Sequence, residues 1–342
     1  MKRICPATIM MMIVLVVLPT TLLRADDKPG QAAPLPAINV AVEFVDHAAC
    51  AYVAHDRGWF ARDGLAVHMY DNYVTGMALA AALARGDIQA AYVCLIPAIN
   101  LYANAGIPIA VVAGTHKHGY GLVVNPDKIA APQDLEKMGV RIGCVREGGS
   151  VDVLMMKLID NYHLDRKAVL ANVSRMSPPK LLLACHMNRL DAAFLPEQWA
   201  TMAENTGFAM LLTSHDIWPS LQGSVLVVKR ELIEKRPDCV HKLVQVTKES
   251  TRWLNDERDE AARIVAAHLS EMRDKLLPHM NNGHCFDITP AVITRSMTRM
   301  DFTTDIDSQV VDDIIRYMKE IGYIDSVIQA DDLLDLHFMN DE

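Results

Sequence analysis

Several short segments carry residue types that hold small molecules or ions. Glu147-Gly148-Gly149-Ser150 stands just before an apolar-periodic stretch that reads as a helix over 150–162. Glycines let the backbone approach a ligand, and a helix start offers unpaired N–H groups and the positive end of its dipole. That combination favours an anion, and Ser150 either adds a hydroxyl donor or caps the helix. Glu147 opposes a fully anionic ligand unless it faces away. Thr75-Gly76 opens the Ala/Leu-rich helix to Ala84 in the same way, as a ligand loop or as an ordinary N-cap. Asp46-His47 follows the strand Ile38–Phe44, so His47 falls at a strand end, where it is either ligand-facing or a surface histidine. Phe44 is an apolar wall or core. Cys94, near the end of the strand Ile88–Leu95, counts among the ligand-facing positions. So do Thr115 and His116 in the loop Thr115-His116-Lys117-His118, which follows the strand Ile107–Gly114. The two histidines at i, i+2 suit a metal (with His47 as a distant third ligand), a basic loop that draws in an anion, or a solvated loop. No carboxylate or cysteine cluster completes a standard metal pattern, and no metal is expected. Glu197, in Leu195-Pro196-Glu197-Gln198, either accepts hydrogen bonds from a ligand or serves as an acidic first-turn residue. Trp199 reads as packing, and Trp218 as a residue that closes a cleft.

The elements that position these residues alternate. Strands at Ile38–Phe44, Leu65–Tyr70, Ile88–Leu95 and Ile107–Gly114 are separated by helices at Cys50–Phe60, Thr75–Ala84 and Pro97–Asn104. A second series has strands at Val140–Val145, Val169–Val173, Leu190–Leu195 and Ala209–Thr213, with helices at Ser150–Tyr162, Pro178–Met187 and Glu197–Glu204. Short apolar strands between helices indicate parallel sheets with crossover helices. Gly119–Asn125 and Gly223–Lys229 share a pattern of glycine followed by an apolar run, and read as strands crossing between the two halves. From Glu231 onward the pattern is helical. The expected fold class is α/β, with two lobes joined by two crossing strands and a helical C-terminal tail on the first. Lobe 1 is expected at 38–118 and 224–342, and lobe 2 at 119–223, with hinges near 119–125 and 223–229. A ligand then sits between the lobes, at strand ends and helix starts.

The chain has 342 residues, enough for about two domains. Hydrophobic residues make up 51% and charged residues 22%, which excludes a disordered chain. A formal charge of −9 argues against nucleic-acid binding but leaves room for a local anion site. Lys2 and Arg3, the apolar run Ile9–Leu18, Pro19 and Leu23-Arg24-Ala25 follow the plan of a secretory signal peptide over residues 1–25. Ten apolar residues are too few to span a bilayer. Loss of this segment removes Lys2, Arg3 and Arg24 and no acidic residue, so the charge of −9 becomes −12. A Pro/Gly/Ala/Asp-rich linker occupies 26–37. Six cysteines remain (Cys50, Cys94, Cys144, Cys185, Cys239 and Cys285), without a C-x-x-C, and are expected mostly free and buried. The motifs G-x-S-x-G, H-E-x-x-H, the P-loop and G-x-G-x-x-G are absent, so no enzyme activity is expected.

Five segments, in order and at suitable spacing, resemble the nitrate/sulfonate/taurine-type periplasmic solute-binding proteins of ABC importers. They are AYVAHDRGWFARDGLAVHMY at 51–70, TGMALAAALARGDIQAAYV at 75–93, GIPIAVVAG at 106–114, MGVRIGCVREGGSVDVLMMKLI at 138–159 and RLDAAFLPEQWA at 189–200. The chain departs from the family pattern at Pro196-Glu197-Gln198, in place of Glu-Pro, and in the histidine-rich 115–118 segment. The resemblance implies a type II periplasmic-binding-protein fold. It also implies a periplasmic monomer that delivers a small solute to a membrane permease, with no cofactor and no nucleic acid. The ligand expected is sulfonate-like and anionic. The family also includes pyrimidine and flavin binders, and thiamine-pyrimidine synthase-like enzymes share the fold. Metal-binding and sensory relatives complete the alternatives.

Overall fold

The computed structural model describes residues 37–276 and 286–340. The expected signal peptide, all of the linker but Ala37, and Cys285 lie outside the described residues. Among the described residues eleven strands form two sheets: β1 (Ala37–Glu43), β2 (Ala66–Tyr73), β3 (Ala90–Cys94), β4 (Ile109–His118), β5 (Tyr120–Val124), β6 (Ile142–Cys144), β7 (Val173–Arg175), β8 (Ala192–Pro196), β9 (Ala209–Thr213), β10 (Gln222–Lys229) and β11 (Met300–Asp301). The first sheet has the order β11-β4-β10-β3-β1-β2, and the second β7-β6-β8-β5-β9.

Each sheet combines parallel crossover strands with one antiparallel strand inserted at a central position. In the first, β1 runs parallel to β2 and β3, while β10 runs antiparallel to both β3 and β4. In the second, β6 runs parallel to β7 and β8, while β5 runs antiparallel to β8 and β9. The two segments read as crossing strands are these inserted strands, β5 and β10. The chain passes from sheet to sheet between β4 and β5, and returns between β9 and β10. The first passage turns on His118 and Gly119, both at positive φ (65° and 90°). A Cβ on Gly119 would lie 2.8 Å from His47 Nε2 and 2.9 Å from His116 Cε1, so glycine is required there.

Two corrections to the sequence reading follow from local competition. The expected strand Val169–Val173 is split: Arg166–Ala171 is helical and β7 starts at Val173. Asp165 caps that helix by accepting the N–H groups of Lys167 and Ala168. The expected loop 115–118 is the end of β4, which stays paired with β10 through His116 opposite Ser224 and Lys117 opposite Gln222. A solvated basic loop is therefore ruled out: Thr115, His116 and His118 are buried.

Both sheets are buried by helices. After β10 the chain is mainly helical, as Pro237–Asp256, Arg258–Leu276, Pro290–Met297 and Ser308–Glu320. Among the described residues no helix is long and apolar enough to cross a membrane. Cys50, Cys94, Cys144, Cys185 and Cys239 are free and buried, as the composition suggested.

Asp191, just before β8, holds the second sheet to its preceding loop. Its buried carboxylate accepts from the Arg141 backbone N–H (3.0 Å), from Arg141 Nε (3.0 Å) and Nη2 (2.6 Å), and from Lys128 Nζ (2.6 Å). The Arg141 hydrogen bonds hold its pKa well below the ordinary carboxylate range. A depressed carboxylate pKa contributes stability above the unfolded value and loses it as pH falls. Asp191→Asn is expected to lower the unfolding free energy by about 2 kcal/mol at pH 7, with the gap to wild type narrowing below about pH 4, as read by urea denaturation.

Candidate functional site

The ends of the two sheets meet at a cavity of about 80 Å³. Its first-sheet side is built from the end of β1, the turn Asp46–Ala48, the start of the Gly76–Arg85 helix and the end of β3. Glu43, the last residue of β1, is buried, and its carboxyl accepts from the Cys94 backbone N–H (3.0 Å), from Cys94 Sγ (2.8 Å) and from the Gly76 backbone N–H. Gly76 is fixed by that approach, since a Cβ would sit 2.4 Å from Glu43 Oε1. Burial raises the Glu43 pKa, and among the described residues Glu43 makes no ion pair. Thr75 is the helix N-cap and accepts the Ala78 N–H at 3.3 Å.

His47 Nε2 lies 2.7 Å from the Gly119 carbonyl oxygen. A carbonyl only accepts, so Nε2 carries the proton and Nδ1 keeps its lone pair. That Nδ1 is 3.6 Å from Cys94 Sγ. Burial holds the His47 pKa down at about 4, so the ring is neutral.

The second-sheet side comes from the start of β5, the start of the Ser150–Asn161 helix and the end of β8. Gly149 is that helix's N-cap and supplies no side-chain cap; Asp152 accepts the Gly148 N–H instead, at 2.9 Å. Ser150 does not cap the helix. Its hydroxyl and that of Tyr120 are buried and adjacent, with the Tyr120 hydroxyl also beside Cys94 Sγ, yet among the described residues neither makes a hydrogen bond of good geometry. Both residues line the cavity, as does Arg146, which is exposed overall. Val45, Val74, Met77, Pro97, Val145 and Trp199 are among the residues that give it a mainly apolar wall.

Of the ten residues expected at a ligand, His47, Thr75, Gly76, Cys94, Gly149 and Ser150 line this cavity. Four do not. Gly148 faces a neighbouring groove, where its carbonyl accepts from Asn100 Nδ2 at 2.7 Å. Thr115 and His116 lie inside β4, with the His116 ring 4.5 Å from that of His47. Glu197 turns into the protein and binds Arg299 Nη1 at 2.8 Å. Trp218 packs edge-on against Tyr317, 5.4 Å between ring centres, outside the cavity lining.

Residues 31–270 match the NMT1-like family. The chain belongs to that family. This NMT1-like protein is 23% identical over 302 residues to the taurine-binding periplasmic protein of Escherichia coli (strain K12), covering 85% of this chain and 89% of the relative. Its structure is similar to that of the alkanesulfonate-binding protein SsuA from Xanthomonas axonopodis pv. citri bound to MOPS (TM-score 0.71, 14% identity, 89% of this chain and 100% of the other). It is equally similar to the nitrate-binding protein NrtA from Synechocystis PCC 6803 (TM-score 0.71, 13% identity, 90% and 88%). A zinc-bound ligand-binding component of an ABC-type import system from Staphylococcus aureus gives the same TM-score, 0.71, at 18% identity and 88% and 97% coverage. The NMT1-like protein thus has the periplasmic-binding-protein fold, and these relatives are named as binding proteins.

Three residues of the cavity wall, Glu43, Tyr120 and Arg146, are not among the ten expected at a ligand. Glu43 had one available signal: it is the sole charged residue in the strand AINVAVE. Tyr120 lies in an expected strand, and Arg146 stands beside the glycines with no signal of its own.

Proposed function

We propose that this NMT1-like protein is a periplasmic solute-binding protein, exported by its N-terminal segment, that delivers a small anionic organic solute to the permease of an ABC importer. The solute is sulfonate-like and binds between two lobes, one built on each sheet: 38–118 with 224–342, and 119–223. The lobes close about the passages at Gly119 and before Gln222, and the chain works as a monomer without catalysing a reaction. Closure draws on the solute's greater affinity for the closed form.

One observation carries the anionic reading: two adjacent buried hydroxyls, Tyr120 and Ser150, make no hydrogen bond of good geometry among the described residues, at the wall where a 12-residue helix begins. Buried donors are normally satisfied, and an oxyanion at this helix start would satisfy both. Arg146 at the rim supplies positive charge. The anion belongs on this side, because Glu43 already takes the Gly76 and Cys94 N–H groups on the other.

The test is thermal unfolding of protein unfolded and refolded to strip carried-over solute. Taurine, alkanesulfonates, nitrate, bicarbonate, pyrimidines and flavins are added in turn. At 100 times its dissociation constant the true solute adds about 2.7 kcal/mol, a rise in Tm of roughly 5–10 °C. A rise with at least one sulfonate is expected. A response confined to pyrimidines or flavins, or none to any anion, overturns the reading.

A further inference from the structure

Glu43, His47 and Cys94 bring a carboxyl, an imidazole and a thiol within 4.8 Å of one another on the first-sheet side of the cavity. We propose that these three residues form a binding site for a thiophilic divalent cation, zinc above all, with its fourth position open to the cavity.

Four features of the site support this. First, the three donors are held by different parts of a rigid frame: Glu43 at the end of β1, Cys94 at the end of β3 and His47 on the turn after β1. Second, the His47 tautomer is already the one a metal needs. Nε2–H is tied to the Gly119 carbonyl, which aims the Nδ1 lone pair toward Cys94 Sγ. A ligand histidine whose other nitrogen donates to a backbone carbonyl is the usual outer-shell arrangement. Third, the 3.6 Å from Nδ1 to Sγ matches the edge of a zinc tetrahedron, about 3.5 Å for Zn–S near 2.3 Å and Zn–N near 2.0 Å. Glu43 Oε2, now 2.8 Å from Sγ, moves out by less than about 1 Å to reach the same spacing, and the thiol proton between them leaves to solvent. Fourth, the charges balance. One thiolate, one carboxylate and one neutral imidazole around a dication give a net charge of zero, which suits a buried position. Among the described residues Glu43 has no cationic side chain paired with it. Ser224 Oγ, 3.5 Å from Cys94 Sγ, is placed to donate to the thiolate.

The donor set also selects among ions. Thiolate and imidazole favour zinc and its neighbours over magnesium and calcium, which take oxygen ligands. Three protein ligands and one open position make an exchangeable site and not a closed structural one. All three ligands line the cavity, so the fourth ligand comes from there, as water or as an acidic group of a bound solute. The site shares its cavity with the solute proposed above, but its test needs no solute.

The experiment is titration of chelator-treated protein with Zn²⁺ by calorimetry, and with Co²⁺ by absorbance. One equivalent of Zn²⁺ per chain is expected, and the Co²⁺ form should show a thiolate-to-cobalt charge-transfer band in the near ultraviolet. Cys94→Ser should abolish the band and weaken Zn²⁺ binding at least 100-fold, whereas His215→Gln, outside the cluster, should leave both unchanged. The wild-type Co²⁺ spectrum needs no variant to fold: binding without that band, or no stoichiometric binding, overturns the proposal. Zn²⁺ binding that survives Cys94→Ser overturns it as well. The solute panel, repeated on chelator-treated wild type, separates the readings. A sulfonate response without Zn²⁺ binding removes the metal alone, and Zn²⁺ binding without an anion response removes the anionic solute alone.

Discussion

An Arg299→Ala variant is expected to lose about 3–5 kcal/mol of unfolding free energy, with its solute affinity changed by less than about threefold. Glu197 is fully buried, and its Oε1 accepts from Arg299 Nη1 at 2.8 Å and from Thr201 Oγ1 at 3.1 Å. Arg299 also binds both oxygens of Glu204, at 2.9 and 3.0 Å. Asp46 is buried nearby on the turn that carries His47, and burial, with a smaller contribution from the Glu197 charge, raises its pKa to about 7. Removing the guanidinium leaves Glu197 desolvated and unpaired, which costs far more than a surface ion pair is worth. The buried carboxyl of the variant then takes up a proton on folding. A raised carboxyl pKa stabilises less as pH rises, so the deficit should be larger at pH 8 than at pH 5. Glu197→Gln in the Arg299→Ala background should recover part of the loss. Urea unfolding of the two single variants and the double variant measures this cycle, and an additive double variant would refute the coupling.

That expectation bears on what the sequence can tell. Strand ends and helix starts are written locally, in apolar runs, glycines and caps, so the positions of His47, Gly76, Cys94, Gly149 and Ser150 could be read. Which way a side chain turns from such a position is not local. Glu197 and Ser150 both open helices after a strand. Glu197 turns inward because Arg299, 102 residues away, is there to meet it, whereas the Ser150 hydroxyl faces that of Tyr120 at the cavity wall. His116 looked like a loop residue because its neighbours are polar, but β10 runs alongside and keeps the segment in the sheet. Glu43 is the converse case. One acidic residue in an apolar strand is a weak signal, and its meaning depends on Gly76, His47 and Cys94, which only the fold assembles. The i, i+2 histidine pair with His47 as a distant third suits a metal by residue type, yet the donor group that the fold assembles joins His47 to a carboxyl and a thiol from other segments, a combination no spacing rule contains.

The second large effect separates function from stability at the same two residues. Tyr120→Phe and Ser150→Ala each remove a buried hydroxyl that makes no hydrogen bond of good geometry among the described residues. Leaving such a group unsatisfied costs about 1–3 kcal/mol, so its removal should leave stability unchanged or raise it by about 1 kcal/mol. The Tyr120 ring is kept in Tyr120→Phe, so its edge contact with His47, 5.0 Å between ring centres, persists. If the hydroxyls are donors to a charged solute, each variant loses a charge-assisted hydrogen bond worth about 1.5–3 kcal/mol, or roughly 10- to 150-fold in affinity. A gain in stability paired with a loss in affinity is the signature of a residue held ready for a ligand at some expense to the fold. Thermal unfolding of each variant, alone and with whichever sulfonate stabilises wild type, reads both quantities in one experiment. Variants that bind that sulfonate as tightly as wild type would move the anion away from this wall, and lowered stability without solute would mean that the hydroxyls serve packing.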